Sequence, residues 1–170
     1  MQQQNLTCKS IQEQVLPEDL WLKECAEFEE LQKIKSVDAF DGFMICFKLR
    51  KWNALRFCDK TGLSRTMFSR IKKKTYKEEQ YPSLQSVVAI CVALQIPFEF
   101  SMVLLNHCGY SLTGSKRDCC YKFILTHYEM FDIDKANEFL VKEKFDPISD
   151  KDIHENKFFA LRKNKMPKSA

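Results

Sequence analysis

Between Trp52 and Ile71 the chain spells two short amphipathic segments joined at a lone glycine, and this stretch constrains the fold more than any other. Asn53 and Ser64 each stand just before a run with helical periodicity. Their short side-chain oxygens can accept from the orphan N–H groups of a first helical turn. Gly62 falls where the chain must turn sharply between the two runs, a place that often requires positive φ. Phe57, Leu63, Phe68 and Ile71 are spaced so that one apolar face forms around the bend, and Cys58 offers a small side chain where two helices would cross. The pattern predicts helices over 54–61 and 65–73. Ser64, Arg65, Thr66, Ser69, Arg70 and Lys73 are left pointing outward.

Charge is distributed unevenly around this segment. The chain has 170 residues and a formal net charge of +4. From Lys48 to Lys74 there are ten basic residues and a single acid, Asp59, whereas the remainder carries 17 basic residues against 22 acidic ones. A basic module in an acidic remainder is the footprint of polyanion binding, because each neutralised phosphate releases condensed counterions. The 45% hydrophobic content suffices for a core, and only four glycines is sparse for an all-β chain with many turns.

With its flanks, the segment resembles the helix-turn-helix of the Xre/Cro, phage lambda-repressor-like family of bacterial and phage regulators. The likeness rests on several coupled positions. That family usually has alanine at the slot of Cys58, glycine at that of Gly62, and apolar residues at those of Phe57, Leu63, Phe68 and Ile71. It continues into Tyr81-Pro82-Ser83 and the helix ending Ala93-Leu94-Gln95-Ile96, so that residues 38 to 106 are covered. Two departures stand out: Ala54 occupies a slot often held by a phosphate-binding glutamine, and Lys74–Tyr81 is longer than the usual loop. The resemblance implies a five-helix bundle whose helix 65–73 enters the major groove of double-stranded DNA. Ser64, Arg65, Thr66, Ser69, Arg70 and Lys73 would then contact bases, and Asn53, Arg56, Lys72 and Lys74 would hold phosphates.

Around this module the chain reads as helical. Residues 1–16 are polar and weakly patterned. Pro17, Glu18 and Asp19 open a helix expected to reach about Lys35, with Leu20, Leu22, Phe28, Leu31 and Ile34 buried and Glu24, Glu27, Glu29 and Glu30 outside. Asp38 to Leu49 forms the next helix, with Phe43, Met44, Phe47 and Leu49 inward. Further helices are expected at 83–94 and 98–106. Beyond Gly109, Ser115 caps a helix to about Tyr128 with Tyr121, Ile124 and Leu125 inward. Another starts after Asp132, carries Ile133, Ala136, Phe139, Leu140 and Phe145 as apolar positions, and ends at Asp146-Pro147. The stretch Leu105–Leu112 with these two helices is similar to the C-terminal extension of many Xre-like regulators.

Several function classes receive no support. The longest apolar run, Val87–Leu94, is far below the ~20 residues of a membrane span, and the N-terminus lacks a secretory signal. The expected location is therefore cytoplasmic, with no membrane partner. The eight cysteines include no Cys-x-x-Cys pair, and Cys46, Cys58 and Cys91 suit alanine-sized core sites. A zinc site drawn from His107, Cys108, Cys119, Cys120 and His127 is the weaker reading, so no metal and no cofactor is expected. The four glycines stand alone, no serine sits in a nucleophile-elbow context, and no enzyme is expected.

The sequence thus reads as an all-α protein. It comprises an N-terminal segment with an acidic helix (1–36), a DNA-binding domain (37–108), a helical extension (109–148) and a basic tail (149–170). The expected function is sequence-specific binding of double-stranded DNA to regulate transcription, as a repressor, with a homodimer left open. The rivals are an antitoxin or accessory factor of the same fold, working through a protein partner docked on the N-terminal helix, and a pure interaction module in which such a bundle has lost DNA binding.

Overall fold

A computed structural model describes residues 18–76 and 81–149, and among them the chain is wholly helical, without strands. Helix α1 (Glu18–Gln32) tightens into a 3-10 turn at Lys33–Ser36. Then follow α2 (Ala39–Leu49), α3 (Ala54–Thr61), α4 (Arg65–Lys73), α5 (Leu84–Leu94), α6 (Phe98–His107), α7 (Lys116–Thr126) and α8 (Ile133–Lys142). The expected start at residues 1–16, the opening at Pro17 and the basic tail beyond Ser149 lie outside the described residues.

Local chemistry sets most of these ends. Asp38, Asn53, Ser64, Ser83, Ser115 and Asp132 each accept a backbone N–H of the first turn of the helix that follows. At Ser115 the device is reciprocal, because the Asp118 carboxylate accepts the Ser115 N–H. The far ends of α2, α4 and α8 share another device. Lys51, Lys74 and Lys144 turn left-handed, with φ of 53°, 50° and 66°. The N–H of the next residue then reaches back to the carbonyl of Phe47, Arg70 and Leu140 respectively. For α8 this reversal sets the end at Lys142, ahead of Asp146-Pro147 where the sequence suggested it. Phe145 accordingly lies outside the helix and is half-buried.

Helix α5 is the axis of the molecule. Every residue from Val87 to Val92 is buried, so the helix has no wet face and must be surrounded. It packs against α3 and α6, and against α7 and α8, so that one continuous apolar cluster runs from Leu31 to Ile148. Buried Asn137 on α8 closes the far end: its amide oxygen accepts the Ile148 N–H at 2.9 Å and its amide nitrogen donates to the Ser149 carbonyl at 3.2 Å.

The N-terminal helix departs from its expected packing. Only its end enters the core: Leu31 and Ile34 are buried, but Leu20, Leu22 and Phe28 are exposed, Leu22 by 58%. The helix leans on α2 and the 3-10 turn, so its earlier turns reach past the surface available to cover them. Phe28 makes an edge-on contact with the Phe100 ring at 5.6 Å. Gln32 ends the α-helical part, and Lys33–Ser36, which the sequence assigned to the same helix, winds more tightly.

A single side chain ties these layers together. Arg50, just past α2, donates from Nε to the Leu94 carbonyl at 2.9 Å and from Nη2 to the Gln95 carbonyl at 3.3 Å, while Nη1 pairs with Glu27 of α1 at 2.6 Å. The carbonyls that end α5 have no partner within their own helix, and the guanidinium supplies donors for them.

Candidate nucleic-acid interface

The turn between α3 and α4 is built by side-chain-to-backbone bonds. The Asn53 amide oxygen accepts the Arg56 N–H at 2.9 Å, and the Ser64 hydroxyl accepts the Met67 N–H at 3.3 Å. Gly62 ends α3 with φ of 70°, and its N–H bonds the Cys58 carbonyl at 2.9 Å. Buried Thr61, which the sequence reading passed over, donates its hydroxyl to the Phe57 carbonyl at 2.7 Å and accepts the Leu63 N–H at 3.1 Å. Its signal was an uncharged hydroxyl directly before the glycine. Gly62→Val should cost about 1–3 kcal/mol, because a β-branched residue is strained at this φ. Gly62→Asn, which tolerates the left-handed region, should cost less. Thermal denaturation checks this, and an unchanged melting temperature for the valine variant would mean that the turn does not constrain the residue.

Beneath the turn lies an aromatic core. Phe57 and Ile71 are fully buried, Phe68 nearly so, and Cys58 and Leu63 are half-buried. Phe47 of α2 is the hub, with ring centroids 5.7 Å from Trp52, 5.6 Å from Phe57 and 5.5 Å from Phe68. Phe57 and Phe68 also touch each other at 5.4 Å. The inner faces of α3 and α4 are thereby locked to α2, and the side chains on their opposite faces are fixed in direction.

That outer face brings together Ser64, Arg65, Thr66, Arg70, Lys72 and Lys73, all exposed, with Ser69 half-exposed beside them. Among the described residues no ion pair neutralises Arg65, Lys72 or Lys73. Arg70 is placed differently: its guanidinium carbon sits 4.3 Å from the centre of the Tyr76 ring. Arg56 lies on α3, at the rim of a cleft of about 330 Å³ that it lines with Arg50, Lys60, Trp52 and residues from the ends of α5 and α8.

Lys74 stands apart from the other cations. Its ammonium lies 3.1 Å from an Asp38 carboxylate oxygen and 2.8 Å from one of Asp41, so its charge is met within the protein. The Asp41 backbone N–H and the Lys74 ammonium hold the Asp38 carboxyl below its usual range, and the two carboxylates push Lys74 up. The sequence set Lys74 among the phosphate-holding residues; in the fold it clamps the end of α4 to the first turn of α2.

The seven described cysteines are free thiols, and burial pushes Cys46 and Cys108 up to about 12, well outside the reactive range. Among the described residues no group of three His, Cys, Asp or Glu side chains could hold a metal ion. No described helix is long and apolar enough to cross a membrane. No protein-family model, curated protein or solved structure matches the chain.

Proposed function

We propose that this protein is a helix-turn-helix regulator of the Xre/Cro, lambda-repressor-like type, a cytoplasmic repressor that reads the major groove of double-stranded DNA with α4. One observation carries the reading. Helix α4 is anchored by Phe68 and Ile71 on one side, and on the other presents two arginines, three hydroxyl groups including that of its Ser64 cap, and two lysines that have no ion pair among the described residues. Arginine takes guanine bidentately, and the threonine methyl and hydroxyls suit neighbouring base edges. Arg65, Thr66, Ser69, Arg70 and Lys73 then contact bases, with the exposed edge of Ser64. Asn53, Arg56 and Lys72 set register on phosphates.

Selection of bound duplexes from a random DNA pool tests this directly, since a regulator of this kind must return a recurring site. Arg70→Ala should cost about 1–3 kcal/mol at that site and relax the base preference at one position. Equal binding of selected and scrambled duplexes by the unaltered protein would remove the reading.

A second reading has its own support. Helix α1 leaves Leu22 and Phe28 exposed together with Glu24 and Glu29, a combination suited to docking a basic, amphipathic protein partner. On that reading the protein is an antitoxin or accessory factor, and Leu22→Ser with Phe28→Ser abolishes partner binding while Arg70→Ala leaves function intact.

A further inference from the structure

The residues that follow α4 fold back onto the first turn of α2 through two grips. Lys74 reaches Asp38 and Asp41, as described, and the Tyr76 ring stacks on Phe40, which lies between those two acids, at 5.6 Å and an interplanar angle of 12°. Phe40 stacks in turn on Tyr81, at 5.3 Å and 14°. Phe40 is only 8% exposed, so this three-ring column is rooted in the core. The Tyr81 end is fixed further by the Tyr110 hydroxyl, which donates to the Pro82 carbonyl at 2.9 Å. The Arg70 guanidinium sits on the column at Tyr76, and the Arg70 carbonyl accepts the Thr75 N–H at 3.1 Å. Both ends of Arg70 are therefore held by the segment 74–76.

We infer that Tyr76 is a positioning residue for base recognition: its ring, backed by Phe40 and Tyr81, holds the Arg70 guanidinium ready for the two acceptors of a guanine edge. The inference rests on the DNA-binding reading and adds to it a residue that contacts no DNA. Arginine loses considerable rotamer freedom when its fork engages a base, and a stacking ring that restricts the side chain beforehand reduces that loss. Stacking also suits the planar guanidinium better than the compact ammonium of lysine. The ring performs this role and the Tyr76 hydroxyl does not, so the role transfers to phenylalanine.

The test is a double-mutant cycle on the duplex selected by the full-length protein, with a partner duplex in which the preferred guanine is replaced. Tyr76→Leu should reduce discrimination between the two duplexes about three- to tenfold, the scale of a cation–π contact. The salt dependence of binding should stay unchanged, because no phosphate contact is lost. Tyr76→Phe should restore discrimination. In an Arg70→Ala background, Tyr76→Leu should have no further effect, a result that a merely structural role would not give. Should Tyr76→Leu melt early, Tyr76→Met replaces it: the flexible thioether fills the space beside Phe40 without offering a π face, and should lower discrimination by the same factor. Full discrimination in Tyr76→Leu, or an equal loss with and without Arg70, overturns the inference but leaves the DNA reading standing. A gain in discrimination overturns it too, since the stack would then be withholding Arg70 from the base. If the unaltered protein selects no duplex, the DNA reading fails and the inference fails with it.

Discussion

Phe47→Ala is expected to destabilise the protein by about 3–5 kcal/mol, the cost of removing a buried aromatic ring that the surroundings cannot refill. Phe47 is 1% exposed and is the ring on which Trp52, Phe57 and Phe68 converge. Its loss opens a cavity between α2 and the α3–α4 pair, and the outer face of α4 loses its fixed direction with it. Chemical denaturation followed by helical signal gives the number. Phe47→Leu, which keeps most of the volume, should cost clearly less. A cost below about 1 kcal/mol for the alanine variant would mean that the aromatic hub can collapse into the vacancy, and that the α3–α4 pair is held by something other than this ring.

Binding to duplex DNA is expected to fall about tenfold between 50 and 200 mM salt. Two cationic phosphate contacts give a log–log slope of roughly −1.8, at about 0.9 per contact. The exposed Arg56 and Lys72 supply those two, with Arg65 and Lys73 left to the bases. Lys72→Ala should lower the slope by about one unit. Lys74→Ala should leave it unchanged, because that ammonium is already neutralised by Asp38 and Asp41. Titration of a fluorescent duplex at several salt concentrations decides the matter. A flat response would eliminate the electrostatic part of the proposed function, and a slope sensitive to Lys74 would show that the clamp opens on DNA.

What could be read from the sequence was what neighbouring residues decide among themselves. Asn53, Gly62 and Ser64 mark helix ends through bonds spanning only three or four residues, and α3 and α4 lie at the expected 54–61 and 65–73. The inward Phe57, Phe68 and Ile71 followed from helical period, since an apolar stripe that recurs around a turn has to be covered. Period alone could not say how far the covering surface extends. The stripe of α1 therefore promised burial for Leu20, Leu22 and Phe28, whereas the body of the protein ends near Leu31. The position of Lys74 was equally hidden. Its partners are 36 and 33 residues away, and a lysine at the end of a basic helix gives no local sign of being spoken for. Tyr76 was passed over because the stretch 74–81 looked like a long loop, and its stacking depends on Phe40, which lies on another helix. The end of α8 was missed for a related reason: a left-handed lysine at Lys144 can stop a helix as glycine does, but carries no glycine's signature.

Arg50 has a bearing on how such a protein changes over generations. Two of its three partners are main-chain oxygens, which every amino acid carries, so the letters at 94 and 95 are only loosely tied to the arginine that grips them. Residue 94 needs to remain apolar because it is buried, and residue 95 needs to tolerate φ of 50°. Within those bounds both can drift while the joint persists. Arg50 has no such latitude, since lysine would bring its three N–H donors from a single nitrogen to a place that uses a spread, planar fork. Divergent copies of this chain are therefore expected to keep a lone arginine after α2 while losing nearly every letter around the oxygens it binds. Ancestry would then be traceable in the spacing of the arginine from the end of α5 long after it had faded from the text.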